Sequence, residues 1–222
     1  MKHEMSPLRL RGNDLVPLFP TYLWRSKTDP ETSGPMNQNI LDLLENWTGG
    51  FANASKAKVQ TSQKMDQLPE LAPLVEFADG AVNSVLNFLK AEHGGFKITG
   101  CWANISPPGE AHGRHSHPNN FLSGVYYVTA PEGGDLITFY DPRPQPPIMS
   151  PPPKEIAPVN AGKASMKVEV GDLILFPSWL FHSVPPNRSD QYRVSIAFNF
   201  MFLDFEELMS PPRWEGQESA ED

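Results

Sequence analysis

The sequence predicts a mainly β protein, a double-sheet jelly roll backed by two N-terminal helices. Short strand-like runs fill the chain from Phe96 to Phe202. Two amphipathic helical patterns precede them. The 24 prolines and 16 glycines in 222 residues predict many turns and long connections. Many short strands separated by such turns, with helices placed before them, are typical of a jelly roll with helices on one side.

Apolar residues at helical spacing define the two helices. Pro35–Trp47 has one apolar face, possible caps at Thr32 and Ser33, and a stop at Gly49 and Gly50. A longer pattern covers 66–92, in which two prolines predict a separate first turn and two glycines predict the end. We expect both helices to pack against a sheet.

The strands are predicted from apolar and alternating runs. The runs are Leu15–Arg25, Phe96–Ile105, Phe121–Ala130, Asp135–Pro142, Ser165–Val170, Leu173–Val184 and Tyr192–Phe202. Leu173–Val184 is largely apolar and is predicted to be a buried strand pair or a strand with a bend. Pro142–Pro158 is too rich in proline for a central strand and is predicted to be an extended loop. We expect one domain over 1–222, with a core over 15–205 and a flexible tail over 211–222.

Composition excludes several classes of function. A formal net charge of −8 argues against a nucleic-acid-binding protein, which would carry a basic patch. The single cysteine, Cys101, excludes an intrachain disulfide and fits a reducing compartment. The first twenty residues lack the apolar segment of a signal peptide, and no apolar run approaches the ~18 residues that span a bilayer. The sequence therefore predicts a cytoplasmic protein without a membrane segment.

Three of the six histidines have the spacing of a metal site. His115 and His117 are two residues apart just before an apolar run. On a strand, such side chains share a face and lie about 7 Å apart along the chain. His182 ends another apolar run and can supply a third ligand. A hydrogen-bonded core histidine is the alternative for each. If all three bind a metal, we expect the metal to dissociate below pH ~6.

Arg193 opens the last predicted strand. Strand alternation places Arg193 and Ser195 on one face, and Val194 and Ile196 on the other. A guanidinium fork there can hold a carboxylate bidentately, with the serine hydroxyl as a second donor. A surface salt bridge is the alternative.

Together these motifs resemble the Fe(II)- and 2-oxoglutarate-dependent oxygenases. The segments that carry the resemblance are CWANISPPG, HSHPNNFLSGVYYV, YDPR and LILFPSWLFHSVPPN followed by YRVSIAFNF. They are most similar to a prolyl-hydroxylase-like branch in bacteria and phages whose members are largely uncharacterised. The resemblance runs from about Leu15 to Phe202. It implies a double-stranded β-helix of the cupin-like kind, and an oxidoreductase that hydroxylates a substrate while 2-oxoglutarate is decarboxylated to succinate.

The resemblance also implies a role for individual residues. His115, His117 and His182 correspond to the metal ligands, and Arg193 and Ser195 to the residues that bind the distal carboxylate of 2-oxoglutarate. A tyrosine of related enzymes that binds the same carboxylate corresponds to Tyr127, and Asn104 is expected to line the site. No catalytic residue beyond the metal centre is implied. Fe(II) and 2-oxoglutarate are the expected cofactor and cosubstrate, and O₂ the second cosubstrate.

His117 departs from the usual pattern, because most members of the superfamily carry Asp or Glu there. Asp135 and Asp141 are two carboxylates that could replace it. Two alternatives therefore remain open. One is a cupin-type dioxygenase that uses three-histidine iron without 2-oxoglutarate, and the other is a jelly roll that binds a metal or small ligand without catalysis.

The substrate is predicted only as a small molecule or a peptide. The loop Pro142–Pro158 is a reasonable place for substrate contacts, since long loops at barrel rims carry specificity. Arg143 in that loop could bind an anionic group or form a surface ion pair. The sequence predicts no nucleic-acid partner and no membrane partner, and gives no oligomeric state.

Overall fold

Two antiparallel sheets face each other in the computed structural model, which describes residues 14, 16, 18–51, 59–61, 64–144, 149–157 and 160–203. The predicted tail over 211–222 and residues 15 and 17 of the first predicted strand lie outside these residues. The rest of that prediction is largely wrong, because residues 18–23 are described and lie outside any strand, and the strand begins only at Trp24. The described elements are β1 (Trp24–Lys27), α1 (Pro30–Thr48), β2 (Val59–Gln60), α2 (Ala72–Leu89), β3 (Phe96–Ser106), β4 (His112–His115), β5 (Leu122–Tyr127), β6 (Leu136–Tyr140), β7 (Lys163–Lys167), β8 (Asp172–Pro177), β9 (His182–Val184) and β10 (Arg193–Phe202).

The larger sheet has the strand order β1-β8-β5-β10-β3-β2, and the smaller sheet has the order β4-β9-β6-β7. Neighbouring strands in both sheets run antiparallel. Chain connections cross between the sheets, because β4 and β9 belong to the smaller sheet while β5, β8 and β10 belong to the larger. This is the jelly-roll arrangement expected from the sequence.

Two apolar clusters stabilise the arrangement. The first joins α1 and α2 to the outer face of the larger sheet; Ile40 and Leu74 pack there with Ile196 and Phe198. The second fills the space between the sheets, where Phe139 and Phe176 pack edge to face with ring centroids 5.1 Å apart. Alternation along β10 sends its apolar residues towards the helices, which leaves the opposite face for the space between the sheets.

Helix α1 begins five residues earlier than predicted. The side chain of Asp29 accepts a hydrogen bond from the backbone N–H of Glu31 at 3.0 Å, and Pro30 follows as the first helical residue. Asp-Pro is a strong start signal, because the aspartate caps the free N–H groups and proline needs no N–H partner. The caps predicted at positions 32 and 33 are therefore wrong, whereas the stop at Gly49, with φ of 69°, is confirmed.

Helix α2 follows two short 3₁₀ turns, Met65–Gln67 and Pro69–Leu71. The predicted separate first turn before this helix is thus confirmed. The helix ends at Leu89, and Lys90 takes the left-handed conformation with φ of 52°. The stop predicted at the later glycine pair is wrong, because lysine adopts the conformation that glycine usually supplies.

The run Leu173–Val184 was predicted to be a strand pair or a strand with a bend, and it forms two strands that belong to different sheets. β8 lies in the larger sheet, and β9 begins at His182 in the smaller sheet after a bend over residues 178–181. This bend carries the chain across the gap between the sheets and delivers His182 to the strand beside β4. None of the helices in the described ranges is long and apolar enough to cross a bilayer.

Candidate metal centre

Two histidines are direct partners in the smaller sheet. His115 is the last residue of β4 and pairs with His182, the first residue of β9. His117 lies two residues beyond β4, where its backbone N–H donates to the carbonyl oxygen of Ser178 at 2.9 Å. The spacing of His115 and His117 predicted that both lie on one strand, whereas β4 ends at His115. The contact with the bend before β9 nevertheless turns His117 towards the other two.

The three rings gather around one point. Ring centroids are 4.2 Å apart for His115 and His182, 5.0 Å for His115 and His117, and 5.2 Å for His117 and His182. One nitrogen from each ring lies within 4.8 Å of the others. Two nitrogens that bind one ion are at most about 4 Å apart, since each bond measures about 2.1 Å. Small ring movements would therefore let all three bind a single divalent ion.

Backbone carbonyl groups fix the protonation of two of these rings. Nδ1 of His115 lies 2.8 Å from the carbonyl oxygen of Gly113, and Nδ1 of His182 lies 3.0 Å from that of Leu180. A carbonyl oxygen only accepts, so each Nδ1 carries the proton and donates. The unprotonated Nε2 is then the nitrogen available to a metal, and the hydrogen bond orients the ring.

Burial keeps two of the rings neutral in the metal-free protein. Desolvation, with a smaller contribution from the charge of His115, lowers the pKa of His117 to about 4. Desolvation also lowers the pKa of His182 to about 3, with the neighbouring histidines adding to the shift and the carbonyl of Leu180 opposing it. Neutral imidazole is the form that binds metal ions. Both rings are in that form at neutral pH.

Arg193 is a buried cation in the same cavity. Its side chain is 4% exposed and donates to the hydroxyl of Ser106 at 3.1 Å and, more weakly, to the carbonyl oxygen of Gly134 at 3.4 Å. Among the residues that the structure describes, no carboxylate forms an ion pair with it. Burial lowers the pKa of Arg193. A buried guanidinium without a counter-ion is costly, and an acid that enters the cavity would remove that cost.

A row of polar side chains crosses three neighbouring strands beside Arg193. Ser195 on β10 pairs with Tyr127 on β5 and with Asn104 on β3, and Arg193 pairs with Ser106. All line the cavity. The Tyr127 hydroxyl and the Asn104 amide oxygen are buried without a hydrogen-bond partner in the described part of the chain. Burial raises the pKa of Tyr127, which keeps its hydroxyl protonated as a donor.

The cavity between these side chains measures about 40 Å³, which is room for about three water molecules. The three histidines and Arg193 all line it. The lining is completed by apolar side chains that include Val125, Ile137 and Ala197. A five-carbon diacid needs more space than this. Side chains must therefore move when such an acid enters, as side chains at binding sites commonly do.

Three lining residues with polar groups were not among the predicted site residues. Trp102 and Ser106 flank Asn104 on β3 at the two-residue spacing of one face, and the Trp102 indole N–H is buried without a partner among the described residues. The alternation in CWANIS was the available signal. The third, His112, begins β4 and stacks on His115 with ring centroids 4.1 Å apart.

The two carboxylates considered as replacements for the usual acidic ligand lie elsewhere. Asp135 pairs with Lys167 at 3.1 Å, and Asp141 pairs with Arg143 at 2.7 Å. Among the described residues, the candidate metal ligands at this site are histidines alone. The replacement by Asp135 or Asp141 is therefore wrong, and the face that the structure offers to a metal carries no negative charge.

The donors fit Fe(II) and 2-oxoglutarate. Three imidazole nitrogens on one face are suitable for a divalent first-row metal ion and leave other coordination positions open. A fork at Arg193, with hydroxyl donors from Tyr127 and Ser106 beside it, is suitable for a carboxylate. Buried polar atoms without partners are rare in folded proteins, and three of the four in the described part of the chain, on Trp102, Asn104 and Tyr127, line this cavity. The oxygen atoms of a carboxylate could accept from the Trp102 indole N–H and the Tyr127 hydroxyl.

Sequence comparison gives one family match. The model of the family described as "Putative 2OG-Fe(II) oxygenase" matches residues 100–199, which include all seven predicted site residues. No curated protein sequence matches the chain.

Solved structures with a similar fold share little sequence. The non-heme α-ketoglutarate-dependent carbocyclase SnoK from nogalamycin biosynthesis has a TM-score of 0.59 and 14% identity, over 89% of this chain and 90% of its own. HygX from Streptomyces hygroscopicus, with nickel and 2-oxoglutarate bound, has a TM-score of 0.55 and 13% sequence identity, over 82% of each chain. A Trichoplax adhaerens prolyl hydroxylase in complex with a peptide fragment of hypoxia inducible factor has a TM-score of 0.54 and 15% sequence identity, over 85% of this chain and 87% of its own. These likenesses show the double-stranded β-helix fold.

Proposed function

We propose, from the premise that residues 100–199 belong to the 2OG-Fe(II) oxygenase family, that this oxidoreductase hydroxylates its substrate while it converts 2-oxoglutarate to succinate and CO₂. The family uses Fe(II) and 2-oxoglutarate, so both are assigned to this enzyme. One observation carries the finer proposal. Three convergent imidazoles and a buried guanidinium without a carboxylate partner share one cavity.

His115, His117 and His182 are proposed as the Fe(II) ligands. Bound Fe(II) supplies the redox chemistry with O₂, and 2-oxoglutarate supplies two electrons through its oxidative decarboxylation. The carbonyl groups of Gly113 and Leu180 support this role, because they hold the proton of two histidines on Nδ1, which makes Nε2 the nitrogen with a lone pair. Since all three ligands are neutral, the centre carries one positive charge more than a site with two histidines and one carboxylate.

Arg193 is proposed to bind the distal carboxylate of 2-oxoglutarate, with Ser195, Tyr127 and Asn104 around it. A bidentate contact fixes the acid along the cavity and directs its reactive end towards the histidines. Tyr127 donates its hydroxyl hydrogen, which is otherwise without a partner. Asn104 accepts through its side-chain oxygen, so it contacts the acid through a bound water or turns its amide group to donate. The apolar side chains of Val125 and Ile137 limit the entry of water.

The remaining parts of the proposal concern the whole chain. We propose that residues 15–205 form one domain in a protein of the cytoplasm, which agrees with its buried free cysteine, Cys101. The substrate is a small molecule or a peptide.

The test is an anaerobic titration of the purified protein with Fe(II) and 2-oxoglutarate. We expect a weak visible charge-transfer band that Arg193→Gln loses while Fe(II) binding persists. Arg188→Gln is the matched control, because it removes an exposed arginine that does not line the cavity and should keep the band. A band unchanged by Arg193→Gln would contradict the carboxylate assignment.

A cupin-type dioxygenase without 2-oxoglutarate is the second candidate. The all-histidine face favours it, because such a face does not by itself call for an oxoacid. Release of succinate and CO₂ in equal amounts during O₂-dependent turnover would exclude this candidate. Product formation in the absence of 2-oxoglutarate would establish it.

A further inference from the structure

A second and larger concavity lies on the other side of the strands that carry the metal-centre histidines. It measures about 880 Å³, within the range of small-molecule sites. Arg114 and Phe181 line it, and they immediately precede His115 and His182. Neighbouring residues on an extended strand point to opposite faces. The groove thus faces outward from the smaller sheet, and described residues of the proline-rich loop, including Pro151–Pro153, form its other wall.

Aromatic side chains form an exposed platform in this groove. Trp179 is 54% exposed and Phe181 is 42% exposed, and Tyr140 completes the set. The Tyr140 hydroxyl and the hydroxyl of Ser183 lie 3.0 Å apart, which fixes the tyrosine ring. Exposed aromatic rings such as that of Trp179 can stack against a flat apolar group of a ligand. Such stacking is favourable because an aromatic side chain has few rotatable bonds to immobilise.

Arg114 supplies a positive charge beside the platform. Its guanidinium carbon lies 4.6 Å from the centre of the Tyr140 ring and 4.7 Å from that of Phe181. The Arg114 guanidinium thus lies against two aromatic rings. It donates no hydrogen bond to another described residue, so its N–H groups can donate to a ligand. No carboxylate in the described part of the chain pairs with Arg114. This is notable in a chain of net charge −8.

The second arginine of the groove is already neutralised. Nε and an Nη of Arg143 donate to the two carboxylate oxygens of Asp141 at 3.0 and 2.7 Å. The sequence left open whether Arg143 binds an anionic substrate or forms an ion pair, and the structure has it in the ion pair. The unneutralised charge of the groove is therefore at Arg114.

We propose that this groove binds a small molecule in which an anionic group is joined to a flat apolar ring. The anion contacts Arg114, and the ring stacks on Trp179. Carboxylate and phosphate share the chemistry that a guanidinium fork recognises, so the experiment compares the two. The site is separate from the metal cavity, and its occupancy requires neither metal nor 2-oxoglutarate.

The experiment is an NMR titration of the metal-free, ¹⁵N-labelled protein with phenylacetate and phenyl phosphate. The indole N–H signal of Trp179 is assigned by its loss in Trp179→Phe. We expect a saturable shift of this signal, with 2-phenylacetamide, the neutral analogue of phenylacetate, binding at least about tenfold more weakly. Binding of one anion alone identifies the group that the site prefers and still supports the proposal.

Variants locate the charge that binds the anion. Arg114→Gln should weaken binding at least about tenfold, and Arg114→Lys, which keeps the charge without the planar fork, should lie between. Arg188→Gln removes an equal charge outside the groove and should change binding less than about twofold. Equal binding of the neutral amide, or unchanged binding by both Arg114 variants, would overturn the proposal. Arg193→Gln should bind the probes normally, so failure of the oxygenase assignment remains distinguishable from failure here.

Discussion

His115 and His182 lie directly opposite each other on β4 and β9, with ring centroids 4.2 Å apart. One pair of strand residues thus sets the distance between two candidate metal ligands. The third, His117, is held by a single backbone hydrogen bond to the bend before β9. Strand pairing therefore positions His115 and His182, whereas a hydrogen bond to the bend positions His117.

Removal of a strand ligand should abolish tight metal binding. We expect His182→Ala to bind Co(II), a spectroscopic substitute for Fe(II), more than about 100-fold more weakly than the wild type, since even residues that only hydrogen-bond to a metal ligand contribute about 10–100-fold. His93→Ala is the control, because His93 lies near Phe202, away from the centre. Comparable Co(II) affinity in the two variants would show that His182 is not a ligand.

The position of His117 can be tested by restoring the usual acidic ligand. His117→Asp should retain the metal, because a carboxylate is an accepted third ligand of the iron face. His117→Ala should bind it much more weakly, because two nitrogens remain. Competition with a chelator measures both affinities. If the alanine variant retains the metal as well as the aspartate variant, His117 contributes nothing to the centre.

Metal binding should also stabilise the fold. A ligand that binds only the native state adds about 2.7 kcal/mol to the free energy of unfolding at 100 times its dissociation constant. We expect Co(II) to raise Tm in the wild type, a chelator to reverse the rise, and His182→Ala to show none. An equal rise in this variant would mean that the ion binds somewhere else.

Tyr127 and Tyr126 are adjacent buried tyrosines, and we expect replacement by phenylalanine to change the stability of the protein in opposite directions at the two positions. The Tyr127 hydroxyl has no hydrogen-bond partner among the residues that the structure describes, so Tyr127→Phe should stabilise the ligand-free protein by ~1–3 kcal/mol while it weakens 2-oxoglutarate binding. The Tyr126 hydroxyl donates to the side chain of Asn37 at 2.9 Å, so Tyr126→Phe should cost ~0.5–1.5 kcal/mol and leave binding unchanged. Urea unfolding and calorimetric titration measure both properties. A loss of stability in Tyr127→Phe would contradict a site with an unused donor.

Acid should destabilise the metal-free protein before its carboxylates titrate. The pKa of His117 is lowered to about 4 and that of His182 to about 3, from an ordinary value of 6.5. Below pH 6.5 the unfolded chain therefore binds protons that the native state does not, so the free energy of unfolding falls as pH decreases towards 4. Urea unfolding with a chelator present should show this decline, and a smaller one in His182→Asn. An identical decline in both proteins would exclude His182 as a cause.

The same pKa values change the expected acid sensitivity of the loaded centre. With the ordinary histidine pKa, the metal is expected to dissociate below pH ~6. Burial lowers the pKa of His117 to about 4 and that of His182 to about 3, so protons compete with the metal for these candidate ligands only at a lower pH. We expect half of the metal to be retained to a pH well below 6, as measured by equilibrium dialysis.

The sequence predicted what depends on local pattern. The jelly roll followed from turn-separated strands, and the face of β10 that carries Arg193 followed from strand alternation. The start of α1 was predicted too late, because the prediction followed the helical spacing of apolar residues and not the start signal that Asp29 and Pro30 form. The break between β8 and β9 agrees with the prediction of a strand pair or a bend, but hydrophobicity does not reveal that the two strands belong to different sheets. Tertiary contacts also add Ser106 and His112 to the cavity.

X-ray absorption spectroscopy of the Fe(II)-loaded protein tests the central claim most directly, because it counts the imidazoles bound to the metal. We predict three imidazole ligands per iron in the wild type and two in His117→Asp. One imidazole or none in the wild type would contradict the three-histidine centre.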